Sequence, residues 1–253
     1  MSKIRLILVA LFLLAAARTN FADAIEGAWL LESYQLENES IPVNGIIIFA
    51  KGYFSTVYKM DYEGSSGRSH GGRYNLEGDE ITYTIPWWVQ NVAGTPEVMK
   101  NEILAKGRVE LTGNQLIIRY ASGSVHKFTK LTSGEAGELG GAWLMESYES
   151  PAKTGPASGM MIFSGDRFAM IYTMKTEDGL DGRAHAGAFH RNGGAMSLSV
   201  DWSMQAVGGV GSVQEGSVAR ESKANVAGDL LILELGGDSV QKFRRVKGAD
   251  ASR

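Results

Sequence analysis

The segment Gly27-Ala-Trp-Leu-Leu-Glu-Ser-Tyr34 recurs as Gly141-Ala-Trp-Leu-Met-Glu-Ser-Tyr148, with seven of eight positions identical at an offset of 114 residues. The match continues collinearly: Ile48-Phe49 answers Ile162-Phe163, Tyr58 and Met60 answer Tyr172 and Met174, and Gly67-Arg68 with His70 answer Gly182-Arg183 with His185. Farther on, Trp87 answers Trp202, Gln90 answers Gln205, and Lys127-Phe128 answers Lys242-Phe243. A repeat of this length means two copies of one domain, because solenoid units recur every 20 to 50 residues or so. The copies fall at 26–132 and 139–246, and the small, polar Ser133-Gly-Glu-Ala-Gly-Glu138 between them reads as a short linker.

Each copy consists of short alternating runs of Val, Ile, Thr, Tyr and Phe bounded by Gly, Asn and Asp, which is the period-2 signature of half-buried antiparallel strands. In copy 1 the pattern predicts strands near 28–36, 44–50, 53–60, 68–76, 79–86, 101–110, 114–121 and 124–131. Abundant glycine (32 residues) and scarce proline (5 residues) suit the many tight turns this requires. Eight strands in sequence-local hairpins predict an all-β chain of two tandem small antiparallel up-and-down barrels, a closure that leaves no sheet edge exposed. A β-sandwich is the alternative.

Residues 1–24 read as a signal peptide: Lys3 and Arg5 precede an apolar run from Leu6 to Ala17, and Ala22-Asp23-Ala24 offers the small residues of a cleavage site. That run is shorter than the roughly 20 residues a membrane span needs. The expectation is a periplasmic or secreted product with no stable membrane anchor after cleavage. The chain has no cysteine, so neither a disulfide nor a lipidated cysteine contributes. A net charge of −3 supplies no basic stripe for phosphates, which argues against a nucleic-acid partner.

Comparing the copies sorts the strand faces. On the third strand, Phe54, Thr56, Tyr58 and Met60 correspond to Phe168, Met170, Tyr172 and Met174, a mainly apolar set expected to face the interior. The other parity, Tyr53, Ser55, Val57 and Lys59 against Arg167, Ala169, Ile171 and Thr173, diverges as a solvated face would. On the fifth strand, Ile81, Tyr83, Ile85 and Trp87 against Met196, Leu198, Val200 and Trp202 are expected to point inward. On the fourth, one parity carries Arg68, His70, Gly72 and Tyr74, or Arg183, His185, Gly187 and Phe189. Facing the lumen, these would hold a guanidinium and an imidazole among aromatics, able to bind a carboxylate or carbonyl; facing out, they would be a solvated pair.

The opening Gly-Ala-Trp-Leu-Leu-Glu-Ser-Tyr of the first copy, with its counterpart in the second, resembles the Gly-x-Trp first strand of the bacterial lipocalin-like family. The likeness extends through the Gly45–Met60 and Gly159–Met174 segments and through Gly71-Gly72-Arg73-Tyr74. It implies a small antiparallel barrel closed around an apolar cavity, with the Gly-x-Trp at the closed end. Many such domains carry paired histidines on the fifth strand, where this chain has Tyr83-Thr84-Ile85 and Leu198-Ser199-Val200. Trp29 and Trp143 are expected to plug the barrel bases and donate their indole N–H to a nearby carbonyl.

No Gly-x-Ser-x-Gly elbow and no Gly-Lys-Ser or Gly-Lys-Thr phosphate loop occurs, so the common hydrolase and nucleotide-binding routes lack their parts. No metal and no cofactor is expected. Three functions stay open: binding of a small hydrophobic molecule, a cyclase or isomerase acting on a polyene or polyketide-like substrate, and an interaction module with filled barrels. The candidate ligand-binding residues are Phe54, Tyr58, Met60, Arg68, His70, Tyr83 and Trp87 in copy 1, and Phe168, Met170, Tyr172, Met174, Arg183, His185 and Trp202 in copy 2.

Overall fold

A computed structural model describes residues 21–37, 39–62, 64–99, 101–132, 136–151, 156–177 and 179–247. Most of the expected signal peptide and residues 133–135 of the expected linker lie outside them. The chain forms two eight-stranded antiparallel barrels in tandem. The first is built from β1 (Gly27–Leu36), β3 (Val43–Ala50), β4 (Tyr53–Asp61), β5 (Ser65–Glu77), β6 (Glu80–Val92), β8 (Ile103–Thr112), β9 (Gln115–Tyr120) and β10 (Val125–Thr132). Pairing of β10 with β1 closes it, and the short β2 (Glu39–Ile41) and β7 (Thr95–Val98) are appended to β1 and β6. The second runs in simple succession: β11 (Gly141–Glu149), β12 (Ala157–Ser164), β13 (Arg167–Thr176), β14 (Gly179–Asn192), β15 (Ala195–Val207), β16 (Val210–Ala227), β17 (Leu230–Leu235) and β18 (Ser239–Arg245).

Each barrel is plugged at one end by its first-strand tryptophan. The Trp29 indole N–H donates to the carbonyl of Ile25 at 2.7 Å, at the end of the short helix α1 (Phe21–Ile25). The Trp143 indole does the same to Leu139 at 2.7 Å, at the end of a 3₁₀ turn (Gly137–Leu139). Both rings are fully buried, and a cation lies over each: Lys130 at 4.9 Å from the Trp29 ring and Arg245 at 4.0 Å from that of Trp143.

The outer parity of β4 and β13 does not face solvent, contrary to the sequence expectation. Tyr53, Ser55, Val57, Ala169 and Ile171 are buried, because the outer faces of the two barrels pack against each other. Ile46, Ile48, Met160, Ile162 and Met204 join them in an apolar layer distinct from either barrel core. The contact is pseudo-symmetric. A Cβ on Gly67 would come within 2.8 Å of Val213, and one on Gly182 within 2.9 Å of Val98, and the equivalent residues are 115 positions apart in each pair. Small residues on β5 and β14 let the two sheets approach.

Closed end meets closed end, with Gly165 against Thr132 and Gly141 near Lys51. At the opposite end, Gly211 touches Asn91 and Pro96, while Asn44 and Lys59 reach Glu215 at 2.5 and 3.3 Å. Both barrels therefore open on the same side of the molecule.

The fifth strand of each barrel also departs from the sequence expectation. Gly71 pairs with Trp87 but Arg73 with Thr84, so β6 carries one extra residue at Ile85-Pro86. In the second barrel Ala186 pairs with Trp202 and Gly187 with Val200, leaving Asp201 as the extra residue. Such a bulge reverses the alternation beyond it. Trp87 and Trp202 consequently point out of their barrels into the interface, and the Trp87 indole donates to Ser158 Oγ across it at 3.0 Å. Trp88 and Ser203 turn inward in their place.

A side chain at Gly71 would collide with the β-branched Ile171 and approach the Met160 sulfur at 3.1 Å. Gly71→Val should lower unfolding free energy by about 1–3 kcal/mol, read from urea denaturation. Gly194→Ala, where nothing lies within 4 Å, should leave it unchanged. Equal midpoints for the two variants would contradict the close packing of the barrels.

Candidate functional site

The first barrel encloses a cavity of about 250 Å³. Phe54, Ile47, Tyr83 and Phe128 form an apolar part of its wall, and Arg68 and His70 enter from β5. The fourth-strand parity left open by the sequence thus faces the lumen. Trp88 meets His70 edge-on at 4.8 Å between ring centroids. A second imidazole, His126 from β10, also meets Tyr58, at 6.3 Å between ring centroids, and stands 4.7 Å from both Tyr34 and Tyr120.

Electrostatics single out Arg68. Among the described residues no Asp or Glu lines this cavity. Burial pushes His70 down to about 3, with further lowering by Arg68 and then His126, and His126 falls to about 3 through burial and then Arg68. Burial drives Tyr58 up to about 12 despite the opposing pull of Arg68, which lies within hydrogen-bonding reach of its hydroxyl. Tyr83 and Tyr120 are also raised, chiefly by burial. At neutral pH the guanidinium is therefore the one charged group among the described residues of the lining. Arg68 Nε, His70 Nε2 and Trp88 Nε1 are buried there without a hydrogen-bond partner.

The second cavity measures about 380 Å³. Phe168, Met170, Tyr172, Arg183 and His185 line it at positions equivalent to Phe54, Thr56, Tyr58, Arg68 and His70. Burial, Arg220 and Arg183, in that order, lower His185 to about 3, and burial raises Tyr172 to about 12. His185 Nδ1 lies 3.1 Å from Ser203 Oγ, a bond that orients the ring. Tyr148 stacks on Tyr172 at 5.7 Å.

Of the candidate residues, Phe54, Tyr58, Arg68, His70 and Tyr83 meet in one cavity, and Phe168, Met170, Tyr172, Arg183 and His185 in the other. Met60 and Met174 are buried but line neither cavity, and Trp87 and Trp202 lie on the outer faces. The sequence offers Trp87-Trp88 as two aromatics at a barrel mouth, gating a ligand or packed as a lid, and of the two Trp88 lines the cavity; it does not single out Tyr120 and His126 in the first barrel or Arg220 and Gln241 in the second. Alternation with the inward Phe128 would have found His126. Among the described residues no three His, Cys, Asp or Glu side chains gather closely enough to hold a metal ion.

The depressed imidazoles fix a pH dependence. His70 and His126 stay neutral in the folded chain down to about pH 3, whereas in the unfolded chain they titrate near 6.5. The unfolded state binds more protons across that window, so stability is fully present above about pH 6.5 and falls as pH is lowered toward 3. Replacing both by Gln should flatten this fall by up to about 1.4 kcal/mol per pH unit for each imidazole, measured by urea denaturation between pH 7 and 4. An identical slope in variant and parent would contradict their burial as neutral groups.

No protein-family model matches the chain, and neither a curated protein nor a solved structure gives a significant match. Strand pairing alone therefore establishes the architecture, two closed antiparallel barrels in tandem, each with a cavity in its lumen.

Proposed function

We propose that this is a lipocalin-like binding protein, working in the periplasm or outside the cell after loss of its first 24 residues. It holds a small, largely apolar molecule in its barrels. The observation that carries the reading is the Arg68 guanidinium, set in an aromatic cavity with no carboxylate among the described residues to answer it. A guanidinium drawn partly out of water, with its Nε buried, needs a partner, and here the protein supplies only tyrosine and neutral imidazole. A planar ligand bearing a carboxylate or carbonyl oxygen completes the set: its rings pack on Phe54, Tyr83 and Trp88, and its oxygen accepts from Arg68. The volume fits, since a cavity of about 150 Å³ already admits benzene.

Two alternatives fare worse. Filled barrels are at odds with cavities of about 250 and 380 Å³. An isomerase or cyclase would place His70 as the base beside Arg68 as the oxyanion donor, yet an imidazole held near 3 is a poor base at neutral pH. Binding uses the same groups without that difficulty.

The test is calorimetric titration with 1-naphthoate and with naphthalene. The carboxylate should bind at least about tenfold more tightly, the scale of a charge-assisted hydrogen bond. Arg68→Met should abolish that preference while leaving naphthalene binding in place. Equal affinities for the two probes, or a preference insensitive to Arg68, would sink the reading.

A further inference from the structure

The two cavities share a plan but differ at a few positions, and the differences are chemical. Tyr83 and Tyr120 of the first become Leu198 and Leu235 in the second, and His126 becomes Gln241. At Tyr83 and Tyr120 the wall changes from aromatic to aliphatic, while Tyr148, Phe168 and Tyr172 keep part of it aromatic, and the volume rises from about 250 to about 380 Å³. Ala105 becomes Arg220, which adds a second guanidinium.

Strand alternation tells which way that guanidinium turns. Ser222 and Ala224 of β16 are buried, so Arg220, of the same parity, lies on the lumen side, where it lines the cavity at its mouth while remaining exposed to solvent. Glu221 also borders the cavity, but it shares the outer parity with Lys223, which pairs with Glu234 on the surface. Arg220 and Arg183 both act on His185 and on Tyr172, and no carboxylate is among the groups that perturb either residue. Among the described residues neither arginine has a carboxylate partner. Gln241 is only 1% exposed, lines the same cavity, and its Oε1 has no hydrogen-bond donor.

We propose that the second barrel takes a different ligand class from the first: an aliphatic chain bearing a phosphate monoester head. The assignment rests on the reading of the barrels as binding sites and extends it. Two guanidiniums can share the oxyanions of one phosphoryl group in a way a single arginine cannot. A phosphate that keeps one P–OH also donates to Gln241 Oε1. The chain lies against Met161, Met170, Leu198 and Leu233, where the two thioethers adapt to its conformation.

Octyl phosphate is the probe, with octanol as the uncharged control and 1-naphthoate as the reporter for the first barrel. Native mass spectrometry and calorimetry on the mature chain should show one octyl phosphate bound alongside one 1-naphthoate. Arg220→Ala, which restores the residue of the first barrel, should weaken octyl phosphate at least about tenfold and leave octanol and 1-naphthoate unaffected. Arg68→Met should leave octyl phosphate binding intact. Displacement of octyl phosphate by 1-naphthoate, or indifference to Arg220→Ala, would overturn the assignment. Binding of 1-naphthoate without any of octyl phosphate would also overturn it, yet would leave the reading of the first barrel standing; failure of both probes would remove the broader reading as well.

Discussion

Two closed barrels have no sheet edge left to share, so the apolar residues on their outer faces can be buried only face to face. That contact buries Tyr53, Val57, Ile46 and Ile48 of the first barrel against Met160, Ile162, Ile171 and Met204 of the second, each large side chain contributing about 1.5–3 kcal/mol when fully removed from water. The close approach requires small residues on β5 and β14, which explains Gly67, Gly71, Gly182, Ala184 and Ala186 on these strands. Having closed ends adjacent at Gly165 and Thr132 fixes both mouths on the opposite side. The bulges at Pro86 and Asp201 belong to the same arrangement: each turns a tryptophan, Trp87 or Trp202, out of its barrel and into the shared layer.

With the outer faces committed to the interface, the lumens are where the copies can diverge. The plugs keep one geometry in both, each indole donating at 2.7 Å to the carbonyl four residues upstream. Arg, His and Tyr also keep their places on β4 and β5 and on β13 and β14. The remaining positions separate a mainly aromatic cavity with one cation from a more aliphatic one with two. A fused pair of barrels with a common base and different interiors is physically economical, since a substitution in one lumen leaves the packing between the barrels untouched.

Much of the fold is legible in the sequence. The repeat implies the two-barrel plan because both copies keep the Gly-x-Trp strand and turn glycines such as Gly78 and Gly193, Gly94 and Gly209, and Gly113 and Gly228, and period-2 alternation identifies the inward set on β4 and β13. The two failures have physical causes. The outward parity reads as solvated when each copy is considered alone, and a buried Val57 or Ile171 on an outer face has meaning only once a second barrel lies against it. The inward placement of Trp87 and Trp202 fails because alternation cannot be carried through a bulge, although a proline within a strand that pairs on both sides is a sign of one. His126 is legible in principle, since Phe128 fixes its parity. Arg220 is harder to read, because Val218, the nearest apolar residue of its own parity, is exposed, and burial on that parity begins only at Ser222 and Ala224.

Whether these barrels exist to hold a small molecule is tested most directly by native mass spectrometry of the mature protein purified from its own host, compared with its denatured mass. A binding role predicts a stoichiometric mass excess that disappears on denaturation, with the released compound carrying an acidic group. A clean apo mass, unshifted when aromatic carboxylates and alkyl phosphates are added, would contradict it.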